Sequence, residues 1–85
     1  MYFVYVLENK QDASLYIGST SNLKRRLLEH FSGRGGRTTK IKKSWKLIYF
    51  EGYVLRQDAL GREKFLKGGS GRKYLKKQLK NYFIL

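Results

Sequence analysis

Tyr16-Ile17-Gly18-Ser19-Thr20-Ser21-Asn22-Leu23-Lys24-Arg25-Arg26-Leu27-Leu28-Glu29-His30 decides how the rest of this chain is read. Tyr16, Ile17 and Gly18 read as the end of a strand, Ser19 to Asn22 as a polar turn, and the remainder as an amphipathic helix. Ser21 or Asn22 can cap that helix, because a short side-chain oxygen accepts from the first unpaired backbone N–H groups. At about 100° per residue, Leu23, Leu27 and Phe31 fall on one apolar stripe. Arg26 and His30, one turn apart, run along a margin of the stripe, while Arg25 projects almost opposite, towards water. The helix thus sets an arginine and a histidine beside its buried face, next to a tyrosine-bearing strand.

Outward from this stretch, Tyr2 to Leu7 is a β-branched and aromatic run and hence a strand, with Phe3, Tyr5 and Leu7 on one face. Glu8 to Ser14, holding Asn9 and Asp12, reads as a hairpin loop that returns the chain into Leu15–Ser19. Tyr5 and Tyr16 then approach each other across a strand pair, although ordinary packing accounts for any single tyrosine among the seven. Downstream, Trp45 to Tyr53 is almost unbroken apolar and aromatic. Such a run implies burial on both faces and a place in the core of a small sheet. Arg56 to Lys67 reads as a helix with Ala59 and Leu66 on its apolar side and Glu63 between them. Gly68-Gly69-Ser70-Gly71 ends it. Arg72 to Tyr82 forms a last helix with Leu75, Leu79 and Tyr82 inward, and Phe83 to Leu85 is an apolar tail.

Composition narrows the function classes. Eighty-five residues allow one domain, residues 1–85, with a modest core. The absence of cysteine excludes disulfides, thiolate catalysis and cysteine-based zinc sites, and agrees with a cytoplasmic setting. No apolar run reaches the ~20 residues of a membrane span, and the apolar start lacks the basic flank and cleavage site of a signal peptide. Nineteen Lys and Arg against six Asp and Glu leave a net charge of +13. Such an excess repels itself unless a polyanion is near, and nucleic acid is the commonest one. A membrane partner ranks last, because no long basic amphipathic helix with bulky apolar residues is present.

Ser32 to Lys43 is a glycine-punctuated basic loop. Its cations, Arg34, Arg37, Lys40, Lys42 and Lys43, together with Arg25, suit phosphate contacts, and a solvated linker fits the same composition. No Gly-x-x-x-x-Gly-Lys-Ser/Thr spacing occurs, so the loop is no nucleotide P-loop. A serine hydrolase lacks partners too, since His30 is the only histidine and no Gly-x-Ser-x-Gly turn exists.

Phosphodiester hydrolysis fits the residues better. It needs an activated water, a group to take its proton, and cations against the charge that develops on phosphate. A guanidinium at Arg26 suits a non-bridging phosphate oxygen through its planar, paired donors. Tyr5 or Tyr16 can move a proton, and His30 can orient phosphate or act as acid or base. Glu63 has two readings, an ion pair with a nearby cation or a ligand for Mg²⁺, which accepts one carboxylate completed by water and phosphate oxygens. The six acids are scattered, so one metal ion and not a two-metal centre is the expectation.

The order of a tyrosine-ended strand, a Tyr-Ile-Gly strand, the Asn22-Leu23-Lys24-Arg25-Arg26…His30 helix and a later Glu63 helix resembles the GIY-YIG nuclease superfamily. Its small single-domain bacterial members are the nearest likeness, and the resemblance runs from Tyr2 to about Tyr82. It implies an α+β fold, a three-stranded antiparallel sheet flanked by about three helices. It also implies a Mg²⁺- or Mn²⁺-dependent endonuclease acting on DNA sooner than RNA, with structured, damaged or repair-related DNA as substrate. By the same likeness Tyr5 stands where a general base does, Tyr16 supports it, Arg26 is the catalytic arginine, His30 a histidine of several branches, and Glu63 the metal ligand. Three positions depart from the pattern: Phe3 replaces the first glycine, Ser19 stands where a lysine is common, and Asn81 lies later than the usual asparagine. A binding module of this fold without catalysis is the alternative. In a chain this short, any sequence specificity comes from a protein partner or is slight.

Overall fold

The computed structural model describes residues 1–34 and 44–84. Among these, three strands form one antiparallel sheet in the order β2-β1-β3: β1 is Tyr2–Asn9, β2 Leu15–Thr20 and β3 Trp45–Tyr53. The helices are α1, Leu23–Phe31, α2, Arg56–Lys67, α3, Gly69–Gln78, and the single turn α4, Lys80–Phe83. The architecture is α+β, a small sheet with helices packed on it.

β1 is the central strand, and its alternation builds two separate apolar layers. Val4 and Val6 point to one face, where they meet Ile17 of β2, Ala59 and Leu66 of α2 and Leu75 of α3. Tyr5 and Leu7 point to the other, where Trp45, Tyr16 and Leu47 join Leu23 and Leu27 of α1. The sheet is therefore held between α1 on one side and α2 with α3 on the other. The β1–β2 hairpin closes through Asn9, whose side-chain oxygen accepts from the backbone N–H of Gln11 at 2.9 Å and of Asp12 at 3.2 Å.

β3 corrects the sequence reading. The strand buried on both faces is β1, and β3 lies at the sheet edge, paired with β1 alone. Its apolar run has another cause. Pairing skips Ile48 between Tyr49, opposite Val6, and Leu47, opposite Leu7, so the strand bulges there and both Ile48 and Tyr49 lean on one core layer. Phe50 faces the opposite side and is half exposed.

Other boundaries move for local reasons. The third helix starts at Gly69 and not at Arg72, because Gly71 lets it press against α2: a Cβ on Gly71 would stand 1.8 Å from the Phe65 carbonyl oxygen. The last helix breaks after Gln78 and resumes as α4. Phe31 ends the α1 stripe exposed, at the last position of the helix, and Ile84 is exposed as well. Asn81 lies on the exposed side of α4.

Candidate active site

The centre of the site is a histidine bonded to a phenol. Tyr5 Oη lies 2.6 Å from Nε2 of His30, both residues being buried. Tyr16 packs on the same imidazole with ring centroids 5.0 Å apart, Tyr5 and Tyr16 are stacked at 6.4 Å, and Trp45 closes the cluster against Tyr16 at 6.2 Å. The hairpin produces this. Tyr5 pairs with Gly18 and Leu7 with Tyr16, so both tyrosines leave the sheet on the face that α1 covers. Gly18 is what admits the Tyr5 ring, since a Cβ there would meet the phenol oxygen at 2.5 Å.

α1 supplies the cations. Asn22 caps it by accepting the Arg25 backbone N–H at 3.0 Å, which fixes the rotation of the helix over the hairpin. One turn in, Arg26 donates to Glu29 Oε1 at 3.0 Å and faces the Tyr5 phenol as a second hydrogen-bond partner. Burial works against the guanidinium charge, but the bonds to Glu29 and Tyr5 outweigh it and hold the Arg26 pKa above its ordinary value.

The protonation states follow from the packing. Burial pushes the Tyr5 phenol up to about 12, against the pull of the Arg26 hydrogen bond, and the Tyr16 ring and Glu63 charge add to the rise. Burial likewise takes His30 down to about 4, helped by the charge of Arg26. At neutral pH the phenol therefore keeps its proton and the imidazole is neutral. A protonated phenol can donate to Nε2 in the tautomer that carries the ring proton on Nδ1.

Glu63 comes from the opposite layer. α2 packs on the Val4 and Val6 face, and its Glu63 carboxylate reaches the outer strand, where Ser19 Oγ donates to Oε1 at 2.6 Å. Lys67, one turn on, holds Oε2 at 2.7 Å. Burial alone would raise the Glu63 pKa, but the bonds from Lys67 and Ser19 outweigh it and keep the carboxyl ionised below its ordinary range. Ser19 directly follows Gly18, so Glu63 and Tyr5 flank neighbouring residues of one edge strand from its two sides. The field of Glu63 is felt at the Tyr5 phenol. Tyr5, Tyr16, Arg26 and His30 thus form one cluster, and Glu63 is held by Ser19 on the other face of β2.

Arg25 and Arg34 are exposed. Arg37, Lys40, Lys42 and Lys43 lie outside the described residues. Four residues that matter to the geometry were not read as site residues from the sequence: Ser19, Lys67, Glu29 and Trp45. Glu29 and Lys67 stand at helical spacing from Arg26 and Glu63 and were findable on that ground.

Among the described residues no group of three or more acidic, histidine or cysteine side chains converges. One ionised carboxylate beside a serine hydroxyl suits Mg²⁺, which keeps most of its waters and takes phosphate oxygens as ligands. Lys67 holds the second carboxylate oxygen and is the group such an ion would displace.

Comparison with known proteins gives the family. The family model described as the GIY-YIG catalytic domain matches residues 1–79. The chain belongs to the GIY-YIG family. A UPF0213 protein of Streptococcus pneumoniae is 42% identical over 65 residues, which are 76% of this chain and 65% of that protein. A UPF0213 protein of Staphylococcus saprophyticus is 35% identical over 75 residues, 88% of this chain and 90% of the relative. The solution NMR structure of a UPF0213 protein of Bacillus halodurans superposes with a TM-score of 0.56 at 34% identity, over 96% of this chain and 85% of that one. This GIY-YIG chain thus spans just under two thirds of the streptococcal relative and nearly all of the staphylococcal one. Within the described residues, no helix is long and apolar enough to cross a membrane.

Proposed function

We propose that this GIY-YIG chain is a metal-dependent endonuclease that hydrolyses phosphodiester bonds in DNA, with branched or damaged DNA as its substrate class. A cytoplasmic setting and a part in DNA repair belong to the same proposal. The observation that carries it is the Tyr5–His30 hydrogen bond facing Arg26, a proton acceptor beside a phosphate clamp on a chain of net charge +13.

Arg26 would take a non-bridging phosphate oxygen, exchanging Glu29 for the substrate anion. The Tyr5 phenol oxygen would accept the proton of a water attacking phosphorus while its own proton passes to Nε2 of His30. The neutral imidazole is the form able to receive it. Tyr16 keeps that imidazole in place through its ring contact. Glu63 would hold a divalent ion, Mg²⁺ or Mn²⁺, which when bound neutralises charge developing on the phosphate and leaving oxygens. Exposed cations, Arg25 and Arg34 among them, would give salt-dependent affinity without sequence readout.

A specific observation favours a second reading, a nucleic-acid-binding module of the same fold without catalysis. Arg26 and Glu63 both have internal partners, Glu29 and Lys67. One experiment separates the two. Purified protein is incubated with linear, nicked, flapped and single-stranded DNA and RNA, with and without Mg²⁺. Metal-dependent cutting that Arg26→Ala abolishes supports the nuclease; tight, salt-sensitive binding with no product on any substrate overturns it.

A further inference from the structure

The sheet face that carries Tyr5 continues beyond the cluster. Phe50 stands directly opposite Tyr5 and Gly52 directly opposite Phe3 in the β1–β3 register, so Phe3, Tyr5, Phe50 and Gly52 all belong to that face. α1 covers the end with Leu7, Trp45 and Tyr16 and stops short of the other. There the Phe50 ring is 50% exposed and meets the half-buried Phe3 ring edge to face at 6.3 Å. Gly52 adds no side chain, and the Met1 side chain and the Phe3 ring take up that space: a Cβ on it would come within 2.7 Å of Met1 and 3.4 Å of the Phe3 ring.

We infer that Phe3 and Phe50 form a stacking platform for an unpaired nucleobase of the same nucleic acid whose phosphate meets Arg26, an inference that rests on the phosphodiesterase reading. Two observations and one property of duplexes carry it. The charge of +13 selects a polyanion, and the only broad apolar surface a nucleic acid offers to a flat aromatic pair is the face of a base. In an intact duplex those faces are stacked on one another, so the ligand is an unpaired or splayed nucleotide. Tyr5 and Phe50 are cross-strand partners, about 5 Å apart at their β-carbons, so the platform adjoins the phosphate cluster. A protein partner is disfavoured by size, since two rings and a methionine fall far short of the roughly 800 Å² per side of a stable interface.

The test uses the parent protein in chelator and a hairpin DNA carrying 2-aminopurine either in a single-stranded arm or in the stem. The expected result is quenching of the unpaired probe and little change of the paired one. Phe50→Leu, which keeps the apolar volume and removes the π face, removes the quenching. It also reduces the preference for the armed over the blunt hairpin by about five- to tenfold, while Phe50→Trp retains both. Quenching that survives Phe50→Leu and Phe3→Leu overturns the platform. A parent dimer that Phe50→Leu turns into a monomer, with the preference unchanged, assigns the face to self-association and overturns it too. Cleavage is scored apart, with Mg²⁺ restored. Quenching without cleavage retains the platform and removes the nuclease reading, and cleavage without quenching does the reverse.

Discussion

The phenol ring of Tyr5 lies across the backbone of Gly18, so close that one added carbon there would stand 2.5 Å from its oxygen and 2.7 Å from Cζ. The glycine of the Tyr-Ile-Gly triplet is thus a space requirement and not a turn. Gly18→Ala is expected to lower stability by about 1–3 kcal/mol, the usual range for overfilling a packed core, and to break the Tyr5–His30 hydrogen bond. Urea unfolding and a cleavage assay on the same preparation check it. An alanine variant as stable and as active as its parent shows instead that Tyr5 moves aside freely.

His30 makes stability depend on pH. Its folded pKa, about 4, lies below the ordinary 6.5, so between these values the unfolded chain binds more protons. The contribution is complete above pH 6.5 and is lost as pH falls towards 4, amounting to about 3 kcal/mol at most. His30→Gln should therefore show a flatter dependence of unfolding free energy over that window. Equal slopes for the two proteins would mean that the imidazole is not held neutral.

Arg26 and Glu63 are expected to separate chemistry from affinity. Arg26→Ala should reduce cleavage by about 10²–10³ while much of the binding remains, because exposed cations supply most of it. Arg26→Lys should rescue little, since an ammonium lacks the paired planar donors. Glu63→Gln should be as inactive. Single-turnover rates and Kd measured at one salt concentration decide it, and a variant that cuts at parental rate loses its assigned role.

Lys67 competes for the carboxylate that would hold the ion, at 2.7 Å from Oε2. Lys67→Met should move the Mg²⁺ titration of cleavage to lower concentration, and chelation should stop cutting reversibly in both proteins. A titration that stays in place, or moves to higher concentration, shows that the lysine does not compete with the ion.

Much of the fold was legible, for reasons that differ by element. The hairpin and α1 announce themselves through strand periodicity, a capping Asn22 and the Leu23/Leu27 stripe, and these are local signals. Glu63 was legible as a misfit, a carboxylate between Ala59 and Leu66. What defeated the sequence was long-range. Nothing along the chain says that Ser19 and Glu63, 44 positions apart, share a hydrogen bond. The apolar run of β3 looks like an inner strand because a bulge sends Ile48 and Tyr49 to one core, while Phe50 turns the other way. Gly69 to Gly71 reads as a breaker from composition, yet it begins a helix, because close approach to the Phe65 carbonyl outweighs weak helix propensity.

The pairing of Arg26 with Glu29 has a consequence for selectivity. A guanidinium that rests on a built-in acid is aimed before any ligand arrives, so little torsional freedom is left to lose at the moment of capture. Any incoming anion must first outcompete a tethered carboxylate. On the proposed reading, chloride and other weak, monodentate ions would fail that comparison, whereas a diester seated by several cations at once would prevail, and the resting latch would act as a filter against the salt of its own surroundings.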